Sequence, residues 1–205
     1  MARQKPDSGV RAAILDATRQ LLEQRRYDEL TVADILAAAG VARGSFYFYF
    51  EGKADVLAEL VTAAISQGHE VATTWIRHEG EDERVAATRE SIAQGAALWR
   101  GQAPVLRAIV ENWRSNPKLT EVWLSMMNGF TEATRQRLDA DGVGGDTQSL
   151  AAALTWLGER LYYLAALGVP PFDDAERLVD VLTRIWSETL APPAGSSPAT
   201  STSGS

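Results

Sequence analysis

Cysteine is absent from the 205 residues, which removes disulfides, thiolate metal sites and a cysteine nucleophile together. Histidine occurs only as His69 and His78, and neither has a partner at metal-ligand spacing, so no metal site is expected. No glycine loop of the phosphate-cradling kind is found, and no cofactor is expected. No apolar run approaches the roughly 18–20 residues of a membrane span. The opening MARQKPDSGV lacks the apolar centre of a signal peptide, so a cytoplasmic location without a membrane partner is expected. Strand-like alternation and internal repeats are missing too. What is left is helical periodicity, and the fold class read from it is all-α.

Positive charge is also scarce. The chain carries a net charge of −7, which at first argues against a nucleic-acid binder. Its distribution alters the argument. Residues 1–53 hold eight Lys/Arg and seven Asp/Glu, a net of +1, whereas residues 54–205 carry −8. An acidic bulk with a faintly basic N-terminal part fits binding through a local patch.

About nine helices are expected. Val10, Ile14, Ala17, Leu21 and Leu22 recur at three- and four-residue steps over residues 9–26, a one-faced helix. A second helix opens at Thr31, with Asp34 in a close variant of the capping box. Gly40 ends it where a left-handed residue is wanted. A long helix spans 53–77, followed by helices at 84–100, 103–114, 117–139, 147–168 and 173–190. Asn116-Pro117 marks one boundary, since proline suits a first helical turn. The segment DADGVGGD (139–146) lacks the order and closing Glu of a calcium loop and reads as an interhelical connection. PPAGSSPATSTSGS (192–205) has the composition of a disordered tail. The expected layout is an N-terminal three-helix DNA-binding unit (1–52), a C-terminal helical domain (53–191) and that tail.

Residues 31–53, TVADILAAAGVARGSFYFYFEGK, carry most of the chemistry. Two short helices joined by a glycine turn form a helix-turn-helix, whose second helix enters the DNA major groove. Phe46 and Phe50, four apart, share a face with Val41 and should pack inward. Tyr47, Phe48 and Tyr49 are then left outside, and three adjacent exposed aromatics need a use. Tyrosine hydroxyls can donate to phosphates while their rings lie along sugars and thymine methyls. Arg43 opens the helix, where its guanidinium can reach a guanine edge. Gly44 and Ser45 are small enough to permit close approach to the groove. Lys53 and Thr31 suit phosphate clamps. Ordinary core aromatics flanked by solvated charges are the alternative, but spacing, cap, turn and lysine all agree with DNA reading.

This stretch resembles the TetR family of bacterial transcriptional regulators, whose signature runs F-Y-x-Y/H-F-x-x-K-x-x-L. Here it stands as Phe46-Tyr47-Phe48-Tyr49-Phe50-Glu51-Gly52-Lys53-Ala54-Asp55-Val56, with Leu57 one place late. The matching segment covers residues 10–57. The resemblance implies a homodimer whose N-terminal units each read one half-site of double-stranded operator DNA. It also implies a fourth helix linking each unit to a ligand-binding and dimerisation domain. Ala42 stands where many relatives place a capping Ser or Thr, a loss of roughly 1 kcal/mol unless packing holds the helix.

All six tryptophans lie after residue 74. Trp123, Met127 and Phe130 share a helical stripe, and with Trp99, Met126, Tyr162 and Trp186 they could line a cavity for a small hydrophobic effector. Plain core packing is the alternative. TEVWLSMMNGF, LTWLGERLYYLAALG and LVDVLTRIWSETL are similar to the mycobacterial ethionamide-resistance repressor type of that family. That resemblance implies ligand-lining roles for Trp123, Met127, Phe130 and Trp186. The type has asparagines where this chain has Thr155 and Gly158, so Thr155 becomes a candidate contact, with Asn112 and Glu111 as further polar candidates.

The last two helices offer apolar stripes for a two-fold bundle: Leu150, Leu154, Leu157, Leu161 and Leu164, and Leu178, Val181, Leu182 and Ile185. Arg160, Tyr163, Arg184 and Glu188 could set its register. An enzyme finds little support, because Glu159 and Glu111 are expected to be solvated or ion-paired. A ligand-binding protein that has lost DNA binding is opposed by the intact set from Arg43 to Lys53.

Overall fold

The computed structural model describes residues 8–75 and 81–190. The tail expected at 192–205 lies outside the described residues, as do His78 and the side chain of His69. Nine α-helices and two 3₁₀ turns account for the described elements, and no strand occurs among them. They are α1 (Ser8–Gln24), α2 (Val32–Ala39), α3 (Arg43–Tyr49), α4 (Lys53–Trp75), α5 (Glu81–Gly101), α6 (Ala103–Asn112), α7 (Pro117–Ala140), α8 (Thr147–Ala166) and α9 (Ala175–Leu190). The all-α fold class and the count of about nine helices are therefore found among the described residues.

Local chemistry sets the boundaries. Asn116 caps α7 by accepting the Lys118 N–H at 2.9 Å, with Pro117 in the first turn. Asp146 caps α8 through the Ser149 N–H at 3.0 Å. The acids of the 139–146 connection are thus committed to the chain itself. Asp139 accepts from Thr147 Oγ1 at 2.8 Å, and Asp141 pairs with Arg137 and Arg84. The first helix stops two residues sooner than its periodicity indicates, because Arg26 caps a 3₁₀ turn at Tyr27–Glu29.

Packing follows the stripes. Ile14, Ile35, Phe46, Phe50, Leu57 and Leu60 form a buried N-terminal core. The same apolar cluster continues through Val61, Leu106, Ile109, Leu119 and Trp123, so helix α4 is buried by both halves of the chain. Asp55, in the first turn of α4, accepts from the N–H groups of Glu51 and Gly52 at 2.6 and 3.2 Å and pairs with Lys118 of α7. Burial opposes its ionisation, but the Lys118 and backbone hydrogen bonds outweigh it and hold the carboxyl below its ordinary range.

The stripes of α8 and α9 divide differently from the expectation. Leu154, Leu161, Leu178 and Leu182 are buried within the chain itself, the last three in a cluster with Ile92 and Ala96 of α5. They are unavailable to a partner. The exposed apolar residues there are Trp156, Leu167 and Val181. Of the expected register residues, Tyr163 donates to Glu111 of α6 at 3.0 Å with Arg160 over its ring, so both are engaged internally. Arg184 and Glu188 pair with each other at 2.9 Å on the exposed side of α9.

The split of aromatics in α3 gives a direct test. Phe46→Ala removes a fully buried ring and should cost about 3–5 kcal/mol. Phe48→Ala should change stability by less than about 0.5 kcal/mol. Thermal denaturation followed by circular dichroism separates the two.

Candidate nucleic-acid interface and internal cavity

The helix-turn-helix begins at a closed capping box. The Thr31 N–H and hydroxyl donate to Asp34 Oδ2 at 2.8 and 2.6 Å, and the Asp34 N–H donates to Thr31 Oγ1 at 3.2 Å. Thr31 therefore spends its polar groups on the helix start, beside a carboxylate that would repel a phosphate. These are the same groups that the sequence offers as a phosphate clamp. Gly40 closes α2 with φ +66, a left-handed conformation that side chains rarely adopt. Ala42, the residue before α3, makes no side-chain cap. Burial of Phe46 and Phe50, with ring centroids 5.8 Å apart, anchors that helix instead.

On its outer side α3 presents Arg43, Gly44, Tyr47 and Phe48, with Ser45 and Tyr49 half-buried. Tyr47 and Phe48 are 46% and 67% exposed, far more than any packing function requires. Edge-to-face contacts hold them: Tyr47 on Phe46 at 5.3 Å and Phe48 on Tyr49 at 4.9 Å. The Arg43 guanidinium lies 5.4 Å over the Tyr47 ring. A Cβ added at Gly44 would meet nothing within 4 Å, so this surface is open.

Lys53, expected as a phosphate clamp, is engaged inside the chain. Its ammonium donates to the carbonyls of Tyr27 and Leu30 at 2.9 and 2.6 Å and sits 4.5 Å from the Tyr27 ring centroid. The first residue of α4 thereby fastens the 3₁₀ turn that leads into α2. Burial lowers the pKa of this lysine and raises that of Tyr27 to about 12.

Helices α4 to α9 line a partly open cavity of about 250 Å³. Trp99, Trp123, Met127, Phe130, Thr155, Tyr162 and Trp186 line it, as the sequence indicates, and so do Met126 and Gly158. Asn112 does not: its amide donates to the Ala108 carbonyl at 2.9 Å in its own helix. Glu111 likewise faces Tyr163 rather than the cavity. On α5 the sequence pointed to Trp99 but not to Thr88, Ile92 and Gly95, which stand at helical steps from it. Gly95 is needed there, since a Cβ would come within 2.8 Å of the Tyr162 hydroxyl, which donates to the Ile92 carbonyl at 3.1 Å. Glu159, expected to be solvated or ion-paired, is 6% exposed and lines the cavity, with Arg160 as its ion-pair partner at 3.9 Å. Burial raises its pKa, with Arg160 opposing.

A short exposed reading helix after a glycine turn, joined to a helical domain around an apolar cavity, defines a helix-turn-helix transcriptional regulator. A family model described as "Bacterial regulatory proteins, tetR family" matches residues 14–60. One described as "Transcriptional regulator EthR, C-terminal domain" matches residues 87–190. The chain is 29% identical over 185 residues to the HTH-type transcriptional regulator EthR of Mycolicibacterium smegmatis, covering 87% of this chain and 85% of that one. Against EthR of Mycobacterium tuberculosis the identity is 27% over 184 residues, with the same coverage. The solved structure of a transcriptional regulator from Rhodococcus sp. Rha1 superposes with a TM-score of 0.69 at 18% identity, over 91% of this chain and 96% of that one. The chain belongs to the TetR family, close to its EthR group, and is a transcriptional regulator rather than an enzyme.

Two measurements check the internal roles. The Thr31 hydrogen bonds hold the Asp34 carboxyl below its ordinary range, so its stabilisation is present at neutral pH and lost as pH falls through the lowered pKa. Asp34→Asn should lower the melting temperature at pH 7, with the gap to the parent closing as the solution is acidified. Lys53→Met keeps the alkyl stem but strips donors from two carbonyls, and should cost about 1–3 kcal/mol in denaturant unfolding.

Proposed function

We propose that the chain is a ligand-released transcriptional repressor that binds a palindromic operator as a homodimer in the cytoplasm. Arg43, Gly44, Ser45, Tyr47 and Phe48 read or approach the groove, with Tyr49 at the edge of the contact. The observation that carries this reading is the exposure of Tyr47 and Phe48 beside Arg43, on a helix fixed from behind by two buried phenylalanines. Direct base contacts by arginine and ring contacts with thymine methyls are the chemistry this set offers.

The two-fold partner is met through the exposed parts of α8 and α9, with Trp156 and Val181 as apolar contacts. An isologous pair places two reading helices about one DNA turn apart, roughly 34–36 Å in the commonest arrangement. A small, mainly apolar effector occupies the cavity between α4 and α9. Its differential affinity for the two spacings supplies the coupling, typically 1–3 kcal/mol in such systems. Ile65 brings α4 to the cavity wall, so the effector acts on the helix that seats the reading unit.

The test is an electrophoretic shift on the DNA upstream of the chain's own gene. Arg43→Ala and Tyr47→Ala should each weaken binding by about 1–3 kcal/mol while the melting temperature stays within a degree or two. Full affinity in both variants rejects the assignment of α3 as the reading helix.

A further inference from the structure

We propose that the effector carries a protonated amine on an apolar body, and that Glu159 receives it. The inference rests on the reading of the cavity as the effector site. Glu159 is the one charged side chain among the described residues that line it, and no Lys, Arg or His is among those lining residues. Its Oε1 is buried without a hydrogen-bond partner in the chain. The nearest cation, Arg160 Nε, stands 3.9 Å from Oε2, beyond hydrogen-bond distance. That guanidinium is turned to the Tyr163 ring at 5.1 Å and is 55% exposed. A buried carboxylate whose one ion pair is long and made to a half-exposed guanidinium is costly, and an incoming cation offsets the cost by supplying both charge and hydrogen bonds.

The neighbours favour the same chemistry. Thr155 lies four residues before Glu159 on the same face of α8, and its Oγ1 is also buried without a partner. It can accept a second ammonium hydrogen. The indole faces of Trp99, Trp123 and Trp186 in the walls attract cations. Trp123 Nε1, a donor that is likewise unpartnered, is left for an acceptor atom elsewhere on the same molecule. An effector ending in a carboxylate or phosphate meets the reverse situation. It would have to bury a second negative charge next to Glu159 with no cationic side chain among the described lining residues.

Three probes of one shape decide the matter: 4-phenylbutylamine, 4-phenyl-1-butanol and 4-phenylbutyrate, titrated into the full chain by calorimetry at pH 7. The amine should bind at least about tenfold tighter than the alcohol, and the carboxylate most weakly. Glu159→Gln should erase the advantage of the amine and leave the alcohol within about twofold, with the helical circular dichroism of the parent. Equal binding of amine and alcohol by the parent chain overturns the proposal. So does an amine preference that survives Glu159→Gln, which would put the ammonium on the acidic surface. The same amine is then added to the operator shift. Glu159-dependent binding without operator release counts against the repressor reading and leaves the ammonium site standing. Release by the alcohol alone does the opposite.

Discussion

Helix α4 is buried at two places by two different sets of neighbours, and it is too stiff to satisfy one without the other. Its 23 residues extend about 34 Å at 1.5 Å per residue. Near its start, Val56, Leu57 and Leu60 belong to the core that also holds Phe46 and Phe50. Two turns on, Ile65 forms part of the cavity wall. The first residue, Lys53, grips the carbonyls of Tyr27 and Leu30, and Asp55 is tied to Lys118 at the head of α7. Helix α7 in turn supplies Trp123, Met127 and Phe130 to the cavity. A displacement at the cavity that moves either α4 or α7 therefore reaches the reading unit through close-packed groups, which transmit strain because interiors are barely compressible.

The signature lysine Lys53 and the capping residue Thr31 are both engaged within the chain itself. A lysine at a helix start next to a reading helix invites a phosphate contact. Here the ammonium is already bonded to two backbone oxygens and stacked on Tyr27. Moving it to DNA would leave those carbonyls unpaired, a cost similar to what a phosphate contact returns. The lysine fixes where the helix-turn-helix sits on α4, and precise seating governs groove entry as surely as a direct contact does. Thr31 acts in the same way at the start of α2.

Features set by neighbours within four residues were legible in the sequence. The box of Thr31 and Asp34, the left-handed Gly40, the uncapped Ala42 and the inward Phe46 and Phe50 all follow from local geometry, and each is found. Helix order and the aromatic lining from Trp99 to Trp186 were legible for a related reason, since the stripes repeat at the helical period. What depends on distant partners was not. The Lys53 acceptors lie 23 and 26 residues away. Leu161, Leu178 and Leu182 look as suited to a partner subunit as to their own α5, and only the path of α5 assigns them. Asn112 and Glu159 fail in opposite senses, one turned back to its own helix and the other drawn inside.

Burying Glu159 is hard to explain by stability alone. A well-packed apolar residue at that point of α8 would avoid the desolvation of a carboxylate, and replacing buried charge by packed hydrocarbon is often neutral or favourable. Three polar atoms without partners, on Thr155, Glu159 and Trp123, line one cavity. Arg107 Nε, Thr183 Oγ1 and Ser187 Oγ are unpartnered elsewhere, but buried polar groups are generally paired, and a cluster of three in one cavity fits a site whose partner arrives from outside. The proposed repressor then has a built-in preference between its states. Glu159 shares that cavity with Tyr162 and Trp99, whose rings stack at 6.2 Å. In the proposed repressor, a ligand received there acts on a wall that includes Ile65, and so on α4, a helix packed against both halves of the molecule.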